Sequence, residues 1–304
     1  MGTETTFDVM AFGGVCWDFV GSVERYPALD EKAPLKSLVQ QGGGQAATAA
    51  VAVARLGGRC AVCGHVGDDE FGHKNVAEFR NEGVDTTYLK VVPGGSTQFA
   101  FCVAQEGSGH RSIFWKAPSM GRIDPAELDI QALLNCRCLL VDSHHVVASA
   151  AVARAAREAG IPVVMDMERP QPGNDELLLA ADWPILPEVY ARIHSGLEDL
   201  GEAGRALQRS LGRPVIVTMG AKGAMAFCDG DTHHQPAFEV SPVVDTTGAG
   251  DVYHGAFAHG LSLGYGLEEN MRFAAAVAAL KCLALGGRTG IPSFAAARRL
   301  MDGA

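Results

Sequence analysis

Short apolar runs rich in β-branched residues alternate along this chain with alanine-rich segments of helical length. "DVMAFGG" precedes "GQAATAAVAVARLGG", "CLLVDS" precedes "SAAVARAAREAG", "PVVMD" follows, and "GLEDLGEAGRALQRSLG" leads into "PVIVTMG". Strands separated by crossover helices pair in parallel, so the alternation predicts an α/β fold, a mostly parallel sheet sandwiched by helices. Two segments break the rhythm. Residues 18–40 and 96–116 read as irregular or alternating strands, the second as "STQFAFCVAQEGSGHRSIFWK" with a Gly-Ser-Gly turn in its middle. They predict a small β-lid on one domain spanning 1–304, because no repeat, linker or composition shift divides the chain.

With 304 residues, 47% of them apolar, a sizeable core can be buried. The formal net charge of -10 disfavours a nucleic-acid partner, which would call for a basic face. No apolar run approaches the roughly 18 residues of a membrane span, and the N-terminus lacks a signal-peptide pattern. Gly2 and Thr6 in "MGTETT" formally meet a myristoylation pattern, but no second anchoring signal follows. The expectation is a cytoplasmic protein, off the membrane, with a small-molecule partner. Of eight cysteines, Cys60 with Cys63 and Cys136 with Cys138 sit in apolar runs. That context predicts buried small hydrophobes rather than metal ligands or disulfides.

The densest cluster of turn and acidic residues is "VVDTTGAGDVYHGA", Val243 to Ala256. "FEVSPVVD" reads as a strand, and "DVYHGAFAHGLSLG" as a helix with Val252, Ala256, Phe257 and Leu261 near one face. Gly248, Ala249 and Gly250 then form a turn at a helix N-terminus, where unpaired N–H groups and the helix dipole favour an anion. Asp251 behind it reads two ways: a residue that complements the dipole, or a base that takes a proton from a hydroxyl attacking a phosphoryl group. A second run, "QGGGQAATAAVAVARLGG", opens another helix. It is either a tight turn with close packing, or a cradle in which Gly43 and Gly44 admit a polar ligand and Gln45 or Thr48 bonds to it. G-x-G-x-x-G, P-loop and G-x-S-x-G patterns are absent, which disfavours a dehydrogenase, a P-loop enzyme and an α/β-hydrolase.

Over essentially its whole length the sequence resembles the PfkB/ribokinase family of sugar kinases. "DTTGAGDVYHGA" resembles the family's second signature, and "GGQAATAAVAVARLG" followed by "GHVGDDEFG" resembles its first. The resemblance implies a nucleotide domain with a β-lid over the sugar, ATP as phosphoryl donor and Mg²⁺. It implies Asp251 as the base, and Gly248, Ala249 and Gly250 as the anion hole. "FGGVCWD" places Asp18 at the family's sugar-binding aspartate, with Gly43 and Gly44 as further sugar contacts. "TMGAKGA" places Thr218, Gly220, Lys222 and Gly223 along the nucleotide. Some members bind a monovalent cation such as K⁺ beside the anion hole, which would implicate Asp245 and Thr247.

Three departures accompany the resemblance. Thr48 stands where the family often has Asn. Pro187 and Tyr190 in "PEVY" stand where its N-x-x-E pattern helps organise Mg²⁺. "VAALKCLALGGRTGIPS" and neighbouring segments look like the sulfofructose-kinase branch, yet Trp115 and His144 stand where that branch offers Asn and Arg to a sulfonate. Lys116, His144, His145 and Arg169 remain as cations near the sugar end, whereas His233 and His234 read as a polar surface turn. The implied function is an ATP-dependent kinase acting on a hydroxyl, most plainly a primary one, of a ketose, ribose or sulfofructose-like sugar. A nucleoside kinase and a sugar- or nucleotide-binding regulator without turnover are the alternatives, and exposed lid strands invite a homodimer.

Overall fold

The alternating runs do form a layered sheet, and the two irregular segments form another. In the computed structural model, which describes residues 6–106 and 111–303, thirteen strands occur in chain order. They are β1 (Phe7–Phe12), β2 (Cys16–Val23), β3 (Ser37–Gly43), β4 (Cys60–Gly67), β5 (Leu89–Val92), β6 (Gln98–Gln105), β7 (Arg111–Lys116), β8 (Cys136–Asp142), β9 (Val163–Asp166), β10 (Trp183–Pro187), β11 (Val215–Thr218), β12 (Ala224–Cys228) and β13 (Asp231–Gln235). The helices are α1 (Gln45–Arg55), α2 (Glu70–Asn81), α3 (Ile130–Leu133), α4 (Val146–Glu158), α5 (Asn174–Ala180), α6 (Glu188–Ser195), α7 (Leu200–Leu211), α8 (Ala249–Ser262), α9 (Leu267–Lys281) and α10 (Phe294–Asp302).

The main sheet has the order β13-β12-β11-β10-β9-β8-β1-β4-β5. It is parallel from β5 to β11 and antiparallel at β12 and β13. Side chains alternate across it: Val9, Ala11, Cys138 and Leu140 join α1, α8, α9 and α10 in one core layer. Met10, Phe12, Leu139 and Val141 join α4, α5, α6 and α7 in the other. Helices α1 and α8 pack so closely that a Cβ on Gly255 would lie 2.5 Å from the Ala49 carbonyl oxygen. That contact fixes the two glycine-led helix starts relative to one another.

The second sheet, β3-β2-β6-β7, stands apart. Its strands fall within or beside the predicted lid segments, but residues 24–36 are irregular, and the Gly-Ser-Gly turn lies outside the described residues. Two expectations need correction. "FEVSPVVD" is not a strand, because Pro242 offers no N–H to a ladder and the Val244 and Asp245 N–H groups bond to the Cys282 carbonyl instead. His233 and His234 do not form a turn; they pair with Ala226 and Met225 in the edge strand β13. All eight cysteines are free thiols, seven of them buried.

Candidate active site

The carboxyl ends of the parallel strands gather acids where the sheet reverses direction around β1, the usual place for a ligand crevice in such folds. Asp142 ends β8 and Asp166 ends β9, paired in register. Asp142 is fully buried: its Oδ2 accepts from Gly14 N (2.8 Å) and Ala46 N (3.1 Å), and its Oδ1 accepts from His144 N (2.8 Å). A protein carboxylate therefore fills the N-terminus of α1.

The glycines ahead of α1 are packed closely by protein atoms. A Cβ on Gly43 would lie 2.0 Å from Asp18 Oδ2, and one on Gly44, whose φ is +93°, would lie 2.3 Å from the Gly14 carbonyl oxygen. Gln45 donates from Nε2 to Asp166 Oδ1 at 2.7 Å, and Thr48 is buried in α1. This turn shapes the floor of the crevice and positions Asp18, Asp142 and Asp166.

The start of α8 is different. Gly248 takes a left-handed φ of +74° as its N-cap, and no side chain caps the helix. A Cβ on Gly250 would meet nothing within 4 Å, so backbone is presented to open space. Asp251 follows in the first turn. Burial, reinforced by Glu168, Asp18 and Asp142, pushes its carboxyl up to about 7 against the opposing pull of Arg111. One turn further, buried His254 lies 3.2 Å from Asp166, which burial and the neighbouring Asp251, Glu168 and Asp142 hold well above the carboxylate range. An open, electropositive helix end beside a base titrating near neutrality suits deprotonation of a hydroxyl at an anionic centre.

Strand register decides what faces this centre from the second sheet. Asp18 pairs with Gln41 and Ala100, and Ala100 pairs with Trp115, so these side chains share one face. Lys116 pairs with Phe99 and lies on the opposite face, which removes it as a sugar contact beside Asp18. Two strand positions from Trp115, Ile113 shares the Asp18 face, and so does Arg111 at the next, donating to Thr246 Oγ1 at 3.0 Å just ahead of the α8 turn. The alternation of "RSIFWK" carried that signal for Arg111. Asp18 itself is nine-tenths buried; burial raises its pKa, while the Cys16 thiol (3.1 Å) and Arg288 pull the other way.

Arg288, unremarked in the sequence, is fully buried beneath this face. It donates to Glu78 Oε1 (2.9 Å) and to the Gly43 carbonyl (3.2 Å), and its guanidinium lies 5.1 Å from the Phe79 ring centre. Of the other cations expected at the sugar end, His144 is half-buried against Gly14. His145 is pushed down to about 2 by burial and by neighbouring His144, His65 and Arg122, so it is neutral. Arg169 is exposed beyond β9.

Thr218 ends β11, half-buried, and the exposed turn Gly220–Lys222 follows, its Lys222 carbonyl held by His234 Nε2 at 2.9 Å. Gly223 is shaped by the fold: a Cβ there would lie 2.0 Å from the Gln235 carbonyl oxygen. Tyr190 packs into the core, stacked on His194, and offers no oxygen to a metal in place of the expected Glu. The described residues contain no group of three or more His, Cys, Asp or Glu arranged to hold a metal ion. A bound Mg²⁺ would be held mainly through phosphates and waters, with the exposed Glu168 as the carboxylate beside them, since Asp251 is partly buried at the helix start. Among the described residues, no helix is long and apolar enough to cross a membrane.

The model of the pfkB family of carbohydrate kinases matches residues 6–293. The ATP-dependent ribose-1-phosphate kinase of Halopiger xanaduensis is 28% identical, across 97% of this chain and 98% of that one. Mouse (Mus musculus) ketohexokinase is 26% identical over 90% of this chain and 95% of its own. Among solved structures, Arabidopsis thaliana ribokinase complexed with ribose and ATP superposes with a TM-score of 0.82 at 26% identity, covering 96% of this chain and 98% of that one.

Proposed function

We propose that this chain, which belongs to the pfkB carbohydrate kinase family, transfers the γ-phosphoryl group of ATP to a primary hydroxyl of a small sugar, with Asp251 as the base. One observation carries the reading: Asp251, at about 7, stands in the first turn of a helix whose glycine-led N-terminus has no side-chain cap. The sugar hydroxyl gives its proton to Asp251, its oxygen forms the new bond to the γ-phosphorus, and the bond to the leaving ADP oxygen breaks. The Ala249 N–H is held by the Thr246 carbonyl at 3.2 Å, so it is the Gly250 N–H and the dipole of α8 that face the charge spread over the transferring oxygens, and most of the acceleration comes from positioning and preorganised dipoles. Bound Mg²⁺ would neutralise phosphate charge. Asp18 orients the sugar, and Arg111 brings a guanidinium from the second sheet toward the same loop.

Within this class we favour ribose or a ketose over a sulfonated sugar, because Trp115 lies on the Asp18 face and presents an apolar ring where a sulfonate needs hydrogen-bond donors. The burial of Tyr190 favours one rival, a regulator that binds sugar and nucleotide without turnover. ADP formation from ATP and Mg²⁺ with ribose, fructose, sulfofructose, an acidic keto-sugar and adenosine separates the readings. Ribose- or fructose-dependent ADP is expected. A sugar that raises the melting temperature without ADP would establish the regulator, and turnover with adenosine alone would make the chain a nucleoside kinase.

The second sheet further supports a homodimer. Ile113, Phe114, Trp115 and Phe101 are all substantially exposed on or beside its edge strand β7. Light scattering at micromolar concentration should give twice the chain mass of 31.9 kDa; a monomer mass would refute this pairing.

A further inference from the structure

The loop that precedes the open helix end is held by a lysine. Lys281, at the end of α9, is completely buried and donates from Nζ to the Asp245 carbonyl oxygen at 2.9 Å. Asp245 is equally buried, and both of its carboxylate oxygens have donors: Oδ1 accepts from Thr247 N (2.9 Å) and Thr247 Oγ1 (2.7 Å), Oδ2 from Gly286 N (2.8 Å). The Val244 and Asp245 N–H groups bond to the Cys282 carbonyl, and a Cβ on Gly248 would lie 2.9 Å from Gly287 Cα. The segment 281–287 is thus a bracket clamped on the loop that ends in the anion hole. The residues expected to coordinate K⁺ do not fit that task, because Asp245 and Thr247 bond to each other and an ammonium already stands against the same loop.

We propose that Lys281 is a positioning residue that supplies, from within the chain, the positive charge a bound monovalent cation would otherwise bring to the Asp245–Gly248 loop. The inference rests on the kinase reading for its purpose, but not for its test. A buried ammonium is stable only when its donors are met and an anion is near. Asp245 provides an acceptor through its carbonyl and the anion through its charge, which opposes the desolvation that lowers the Lys281 pKa. A tethered cation has no dissociation equilibrium, so the loop is set at any salt composition.

The test uses melting temperature, which requires no turnover and stays informative if no sugar is phosphorylated. KCl replaces choline chloride at constant ionic strength up to about 0.1 M. The wild-type protein is expected to shift by less than about 1 °C. A larger rise specific to K⁺ and absent with Na⁺ overturns the proposal. Lys281→Met removes the charge and keeps the stem, and it is expected to melt lower and to recover by about 4 °C or more in K⁺ but not in choline. Equal loss in both salts would make Lys281 a packing residue only and overturn the proposal. Should this variant not fold, titration of the wild-type protein with Tl⁺, followed by thallium NMR, decides alone: no saturable binding supports the tethered cation, and saturable binding refutes it.

Discussion

Asp251→Asn is expected to lower kcat by about 10²–10⁴-fold while leaving the nucleotide and sugar affinities within a fewfold of wild type. The amide keeps the shape of the first turn of α8 but cannot accept the hydroxyl proton. Because the carboxyl titrates at about 7, the wild-type kcat/KM should fall as pH drops below 7 and level off above it. The same shift has a stability consequence of opposite sense. A carboxyl whose pKa is raised in the folded state favours folding most when protonated, so its contribution is present below the ordinary carboxylate value and is lost as pH rises through 7. Asp251→Asn should therefore melt higher than wild type at pH 8 and equal to it near pH 4. A variant with wild-type kcat, or a stability difference that grows toward low pH, would remove Asp251 from the role of base.

Arg288→Met should be the most damaging substitution for stability away from the reacting atoms, costing about 3–5 kcal/mol, because it strands Glu78 without its buried partner. Glu78 Oε2 also accepts from Gly42 N at 2.7 Å, so the stranded charge would sit directly beneath strand β3. Adding Glu78→Gln should restore part of the loss, since contacting residues do not add. Arg288 also lowers the Asp18 pKa, so its removal drives that carboxyl further toward the neutral form and should raise the sugar KM more than it changes kcat. Urea unfolding of the two single variants and the double variant, with sugar titrations on each, measures both effects. Strict additivity would show that Glu78 and Arg288 are not coupled.

What could be read from the sequence was local. Gly248, Ala249, Gly250 and Asp251 are consecutive, and the conditions for an open helix start are contained in that stretch, so the turn was legible without any partner. The glycines before α1 looked alike but proved different, because the carboxylate that fills that helix end, Asp142, comes from 96 positions away. Facing was likewise hidden: Lys116 and Trp115 differ by one position, and only the pairing of β6 with β7 shows that Trp115 shares the face of Asp18. "FEVSPVVD" has strand composition, yet the donors of its last residues are claimed by Cys282, far along the chain. The roles of Arg288 and Lys281 are not legible in "KCLALGGR" because their partners, Gly43 and Asp245, are 245 and 36 positions distant.

The most direct measurement is the fate of a radiolabelled γ-phosphoryl group on ATP, supplied with Mg²⁺ and ribose or fructose to the wild-type protein and to Asp251→Asn. Label is expected in a sugar monophosphate with wild type, and is expected to be lost with the variant. Label found only in inorganic phosphate, or left on ATP while the sugar is shown to bind, would contradict transfer to the sugar.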